Sequence, residues 1–222
     1  LALSRTASAK QEDSKPAGRQ QERARKDILE IATREFSEKG LAGARVDEIA
    51  ECTNTSKRMI YYYFESKEGL YRAVLEKVYE QIRLIESGID VEGLAPEVAL
   101  RELVRATFDW HNKHPDFVRL VMNENIHQGE HLGALSGIKS RRQTIVELLR
   151  RVLSRGVKAG RFHADIDPVD LHMSISALCF YNVSNRHTFS RIFERDMTST
   201  KAVAARREVV VDTILCWVLA KD

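Results

Sequence analysis

Proline and cysteine are both scarce in this sequence, and long apolar runs are missing altogether. Only four prolines occur in 222 residues. Each falls where a helix would start or be interrupted: Pro16, Pro96, Pro115 and Pro168. The three cysteines, Cys52, Cys179 and Cys216, are odd in number and far apart. That excludes a disulfide framework and suits a reducing compartment, with inert buried thiols the plainer reading and a redox switch the other. No apolar run approaches the roughly 18–20 residues of a membrane span. Residues 1–20 are polar and contain no signal-peptide core. A cytoplasmic location without membrane association is therefore expected. No nucleophile elbow, phosphate-binding loop or helical metalloprotease motif occurs, so no enzyme activity, metal or cofactor is expected.

What is present is ample core-forming material. Hydrophobic residues make up 43% and charged residues 30% of the chain, which excludes wholesale disorder. The formal net charge of +3 is slight, so its distribution matters more than its size. Residues 1–26 hold seven basic side chains (Arg5, Lys10, Lys15, Arg19, Arg23, Arg25, Lys26) against three acidic ones, four net positive charges. Such an extension could track a nucleic-acid backbone or minor groove, or could simply solubilise the chain. With Pro16 and Gly18 as breakers, residues 1–22 read as a flexible basic extension.

The hydrophobic spacing is helical throughout, without β-alternation. Ile28, Ala32 and Phe36, with Leu29 beside them, mark a first helix from about Arg23 that Gly40 ends. Val46, Ile49 and Ala50 form the inner face of a short second helix. Thr53-Asn54-Thr55 reads as a tight turn, with Asn54 able to take the left-handed conformation. Ser56 then caps a third helix whose Ile60 and Phe64 point inward. These proportions are those of a helix-turn-helix unit. Further helices are expected over about Lys67–Glu86, Pro96–Lys113, Pro115–Gln128, Leu135–Lys158, Pro168–Asn185 and Lys201–Leu219, with Gly160–Asp167 as a connecting loop. The predicted fold is all-α: a basic extension (1–22), a three-helix DNA-binding domain (23–66), and a helical effector-binding and dimerisation domain (67–222).

The stretch SKRMIYYYFESKEGLY, Ser56 to Tyr71, carries the chemistry. If Ile60 and Phe64 face inward, then Lys57, Arg58, Met59, Tyr61, Tyr62 and Tyr63 lie on or near the exposed side. Two cations and three phenols with little acid suit phosphates and base edges. Lys67 follows, placed to neutralise a further phosphate. The alternative is a solvated basic face with aromatic packing, a poor use of three adjacent tyrosines.

Residues Arg25 to about Val78 resemble the N-terminal domain of the TetR (tetracycline-repressor-like) family. The matching segments are ILEIATREFSEKG, VDEIAE and SKRMIYYYFESKEGLYRAVL, in the right order. The resemblance implies that Lys57, Arg58 and Met59 open the recognition helix, that Tyr61, Tyr62 and Tyr63 contact bases and backbone, and that Lys67 is the phosphate-binding lysine, with the capping Ser56 a further candidate DNA contact. It also implies a homodimer on double-stranded operator DNA and an effector pocket in the C-terminal domain. Two departures stand out. Thr53-Asn54-Thr55 replaces the commoner Ala-Gly-Val turn, and Arg45 stands where Ser or Thr often begins the second helix, making Arg45 a candidate extra DNA contact.

The C-terminal half is less explicit. HPDFVRLVMNENIHQGEH, His114 to His131, resembles a subset of TetR-like regulators, some of which control catabolism of aromatic acids. On a helix from Pro115, the residues Phe117, Val121, Glu124 and Asn125 share a face. With Trp110 and Phe180 as aromatic walls they are the candidate lining for a small effector, aromatic or similarly compact; ordinary core with a polar network is the alternative. His111 with His114, and His127 with His131, have helical spacings that a metal site could use, with Glu124 nearby. In the last helix Val203, Val210, Ile214 and Trp217, widened by Val209, Val211, Leu215 and Val218, exceed what one neighbour covers, so the last two helices are expected to form a homodimer interface. Burial within a single subunit is the alternative. The reading that unites these features is a ligand-responsive repressor; an activator, a DNA-binding regulator without small-molecule control, and a metal-dependent enzyme are the other readings.

Overall fold

A computed structural model describes residues 14–87, 89, 91–133, 135 and 138–220. Arg5 and Lys10 of the expected basic extension lie outside them. Ten helices account for the ordered structure among the described residues. Two compact units divide the chain between Val74 and Leu75.

The first unit contains α1 (Ser14–Gly43), α2 (Val46–Cys52), α3 (Lys57–Phe64) and the start of α4 (Lys67–Ser87). Ile28, Leu29, Ala32 and Phe36 are buried along one side of α1, as their spacing requires. Val46, Ile49 and Ala50 of α2 and Ile60 and Phe64 of α3 are buried with them. Leu70, Tyr71 and Val74 complete the core, and Tyr71 meets Phe36 edge to face at 5.1 Å. Their burial is why the first turns of α4 belong to this unit, whereas the sequence suggested a boundary at Lys67. A second difference concerns the start of α1, which begins at Ser14 and runs through Pro16 and Gly18. Proline is tolerated there because the first turn has no intrahelical N–H bond to lose. At Gly40 the backbone leaves the helix at φ 67°, ψ 176°, a region open essentially to glycine alone.

The second unit holds the rest of α4, then α5 (Pro96–Lys113), α6 (Pro115–Ile126), α7 (Ile138–Lys158), α8 (Pro168–Ser184), α9 (Arg186–Ile192) and α10 (Thr200–Val218). Its core joins Leu100, Val104 and Phe108 of α5, Leu149 and Val152 of α7, Leu171, Ile175 and Cys179 of α8, and Val210, Val211, Ile214 and Val218 of α10. Much of the α10 stripe that suggested a partner subunit is therefore occupied by its own protomer. The exposed remainder is Val209 and Trp217. Helix α9 has no buried residue, so hydrophobic periodicity does not register it.

Helix ends follow backbone chemistry. At the end of α7, Gly160 takes φ 66°, while Arg161 N–H donates to Gly156 O (2.9 Å) and Gly160 N–H to Val157 O (3.0 Å). The following loop is tied to the end of α10 by a bridge between Phe162 and Leu219, with His163 N–H donating to Val218 O. Asp167 caps α8 by accepting from Val169 and Asp170 N–H, with Pro168 in the first turn. Helix α6 stops at Ile126, short of the expected Gln128, because Gln128 itself turns left-handed at φ 58° and Gly129 N–H reaches back to Glu124 O (2.7 Å).

Inside α7, a Cβ on Gly156 would overlap the ring of buried Phe162. Replacing glycine by alanine ordinarily stabilises a helix interior by about 1 kcal/mol. Here Gly156→Ala should instead cost about 1–3 kcal/mol through overpacking. Denaturant unfolding checks the sign, and a variant as stable as the parent would show that the ring moves aside freely.

Candidate nucleic-acid interface and effector cluster

The turn before α3 is built by three consecutive polar residues. Thr53 closes α2, its hydroxyl donating to Ile49 O at 2.8 Å. Asn54 adopts φ 49°, and Thr55 N–H donates to Ala50 O at 3.1 Å. This is a left-handed helix stop, with asparagine supplying the conformation that glycine more often provides. Ser56 then caps α3, its Oγ accepting from Met59 N–H at 3.2 Å.

Because Ile60 and Phe64 are buried, the other side chains of α3 must project outward. Lys57, Arg58, Met59, Tyr61 and Tyr62 are exposed, Tyr62 at 71%. Tyr63 differs: it is half-buried, edge-on between Tyr62 at 5.5 Å and Phe64 at 6.2 Å. Lys57 Nζ lies 3.1 Å from the Asp47 carboxylate, so its ammonium is partly neutralised and held against the first turn of α2. Arg58 is exposed to solvent. Lys67 donates to Ala42 O at 3.3 Å, which places its ammonium beside the turn that ends α1. Arg45 is the N-cap of α2, its backbone N–H donating to Glu35 Oε1 at 3.1 Å while its guanidinium stays exposed.

One feature of this unit carried no sequence signal. Glu65, a non-glycine residue, takes φ 66° and ψ −50°, and Ser66 N–H donates to Phe64 O at 2.7 Å. This tight γ-turn reverses the chain between α3 and α4. Ser66 Oγ accepts from Gly69 N–H at 2.9 Å, starting the next helix at once.

In the second unit an aromatic cluster surrounds Trp110 and Phe117, whose rings meet at 4.7 Å. His114 stacks on Trp110 at 4.6 Å, Tyr79 meets Phe117 at 5.4 Å, and His111 links Phe117 (5.7 Å) to half-buried Phe180 (6.4 Å). Glu124 is 1% exposed. Its carboxylate lies 3.1 Å from His131 Nδ1 and accepts from His131 N–H at 3.3 Å. Burial, and then the Glu124 charge, push the Tyr79 phenol up to about 12. Burial pulls His111 down, so it is neutral near pH 7. In that form its Nδ1–H donates to Thr107 O at 2.8 Å, which leaves Nε2 as an acceptor.

Of the six residues expected to line a pocket, Trp110, Phe117, Glu124 and Phe180 belong to this cluster, and Val121 is half-buried beside them in sequence. Asn125 departs from the expectation. It is exposed, and its amide donates to Val121 O at 2.8 Å, because the face it shares with Phe117 is too wide to be covered throughout. Tyr79, His111, His114 and His131 complete the cluster, and sequence spacing did not assign them to it. The metal-like spacings resolve differently, since Nδ1 of His111, His114 and His127 each faces a carbonyl of its own helix. Among the described residues no group of three or more His, Cys, Asp or Glu is gathered for a metal. An open groove of about 730 Å³ lies elsewhere in this unit, lined by Leu94, Glu102, Arg105, Asp109 and Arg207 and by none of the six expected residues.

Residues 28–74 match the family model described as bacterial regulatory proteins, tetR family, and residues 96–214 match the tetracyclin repressor-like C-terminal domain. The HTH-type transcriptional repressor NicS of Pseudomonas putida is 36% identical over 83% of this chain and 87% of its own length. The HTH-type transcriptional regulator RutR of Escherichia coli K12 is 31% identical over 69% of this chain and 70% of its own. Among solved structures, the transcriptional regulator SCO4942 from Streptomyces coelicolor superposes with a TM-score of 0.66 at 27% identity, covering 88% of this chain and 98% of that one. A capped recognition helix in one unit and a separate all-helical unit behind it in the chain define a helix-turn-helix transcriptional regulator. The chain belongs to the TetR family. Membership carries operator-DNA binding and dimerisation with it. No helix among the described residues is long and apolar enough to cross a membrane.

The raised Tyr79 phenol gives a pH dependence with a definite sign. Folded protein keeps that proton above pH 10, where an unfolded tyrosine releases it, so stability present below about pH 10 is lost as pH rises toward 12. Between about pH 9 and pH 11 the parent should lose about 1 kcal/mol more than Tyr79→Phe. Denaturant melts of both proteins measure the difference, and parallel losses would place the phenol in water.

Proposed function

We propose that this protein is an effector-gated repressor that binds double-stranded operator DNA as a homodimer in the cytoplasm. The observation that carries the reading is the short Ser56-capped helix, which buries Ile60 and Phe64 and presents Lys57, Arg58, Met59, Tyr61 and Tyr62 outward. Arg58, Met59, Tyr61 and Tyr62 are assigned to base edges. Arg45, Ser56, Lys57, Tyr63 and Lys67 are assigned to the backbone, where hydroxyls and ammonium groups fix register. The designation of NicS as a repressor supports the direction of control.

Dimerisation is assigned to the last two long helices. On α8, Val169, Met173, Ala177 and Tyr181 are exposed at four-residue spacing, a continuous largely apolar stripe. On α10, Val209 and Trp217 are exposed. Such side chains on two contacting helices suit an isologous four-helix contact.

The aromatic cluster is the proposed effector site. Trp110, Phe117 and Phe180 supply flat apolar walls, and Glu124 is a buried acceptor for a ligand N–H or O–H. Control follows from linkage: an effector and an operator that favour different conformations weaken each other's binding. Helix α4 is one helix carrying Lys67 of the first unit and Tyr79 of the second, which makes it the natural lever.

Two measurements test this reading. Arg58→Ala should cost about 1–3 kcal/mol on a duplex selected by the parent from a random library and little on scrambled DNA. Lys67→Ala should weaken both alike and lower the salt slope by about one. Equal losses for Arg58→Ala on the two duplexes would remove it from base readout. For assembly, Met173→Glu places a charge on a residue 62% exposed in the protomer. Light scattering should then report a folded monomer, and an unchanged dimer would move the interface off α8.

A further inference from the structure

The family's N-terminal match begins at residue 28, yet α1 begins at Ser14. Between Gly18 and Asp27 this added helix buries nothing: every residue is exposed except Ala24, which is half-buried. A helix that is polar all round gains no packing energy, and a segment of this length is marginal on its own in water. Its composition is not neutral. Arg19, Arg23, Arg25 and Lys26 face only Glu22 and Asp27 within the segment. Residues 1–26 carry four net positive charges and the whole chain three, so the remainder is net negative by one. The net positive charge of this chain therefore resides in its first 26 residues, ahead of the shared domain.

Two placements give the segment a direction. The Arg25 guanidinium lies 5.3 Å from the centre of the Phe64 ring, on the last residue of α3, so the added helix adjoins the recognition helix. Arg19, Arg23 and Lys26 recur at spacings of four and three and share one exposed face, about a third of the way round the helix from Arg25 and flanked by Glu22 and Asp27. The stripe is about 10 Å long at 1.5 Å per residue, enough to meet more than one phosphate.

We propose that Arg19, Arg23 and Lys26 form a second phosphate-binding element that lies along the DNA backbone beside the recognition helix. It rests on the DNA-binding reading above and extends the contact beyond the three-helix domain. The element reads no bases. It adds sequence-independent affinity, quickens encounter with DNA, and makes binding more salt-sensitive.

The test uses the full chain carrying Arg19→Ala, Arg23→Ala and Lys26→Ala together, titrated against a duplex selected by the parent and against a scrambled duplex of the same length. These side chains are exposed, so helicity and melting temperature should match the parent. Affinity at low salt should fall more than about tenfold on both duplexes, and the salt slope should drop by at least about two, since each lost phosphate contact removes about 0.9 and a dimer carries the change twice. Restoring the charge with lysine at both arginine positions should recover most of the slope. Parental affinity and slope in the triple variant, with the parent binding its selected duplex, would overturn the second element and leave the helix-turn-helix reading intact. A loss confined to the selected duplex would also overturn it, because phosphate contacts do not discriminate. A parent that binds neither duplex would defeat the DNA-binding reading itself.

Discussion

The burial of Ile60 and Phe64 is the constraint on which the outer surface of the recognition helix depends. Helix α3 spans eight residues, too short to persist by its own hydrogen bonds. Two inward side chains fix its rotation, and rotation decides which of three consecutive tyrosines reach solvent. Tyr61 and Tyr62 do, while Tyr63 is half-buried between its neighbours. The capping at Ser56 and the left-handed Asn54 set where the helix starts. The γ-turn at Glu65 sets where it stops. Positive φ at a non-glycine residue costs energy, and here the adjoining helices over-determine it.

The second unit distributes polarity differently. Its main core is apolar, but around Trp110 and Phe117 the interior carries a carboxylate, a phenol and imidazoles. A buried carboxylate is costly unless hydrogen-bonded, and Glu124 meets that condition through His131 alone among the contacts described for it. The segment that supplies His131 follows a helix end made by left-handed Gln128 and Gly129. An arrangement satisfied by one neighbouring loop can be satisfied by a ligand instead, which is the physical ground for the proposed effector site. The charged groove lined by Arg105, Asp109 and Arg207 is unlike it, because its cations already pair with carboxylates, Arg105 with Glu208 at 2.7 Å and Arg207 with Asp109 at 2.9 Å.

Exposed apolar side chains are informative only where they line up. Ile192 and Phe193 are exposed near the end of α9 and define no stripe. Val169, Met173, Ala177 and Tyr181 define one, because four-residue spacing keeps them on one side of α8. On α10 the apolar stripe of the sequence is wider than the exposed one. Period alone cannot tell a face covered by its own subunit from one left for a partner, and Val210, Ile214 and Val218 proved to be core.

By itself the sequence determined the helical class, the three-helix unit, its Ser56 cap, the inward Ile60 and Phe64, and the basic aromatic stretch on the outer side of α3. These are properties of local spacing and of side chains acting on their own backbone, so they survive without knowledge of distant contacts. Only the tertiary structure decided which α10 residues are core, that Asn125 turns to solvent, and that Tyr79 and His131 join Trp110 and Glu124. Each of these depends on which surface a neighbouring element covers, and residues far apart in the chain carry no local mark of meeting.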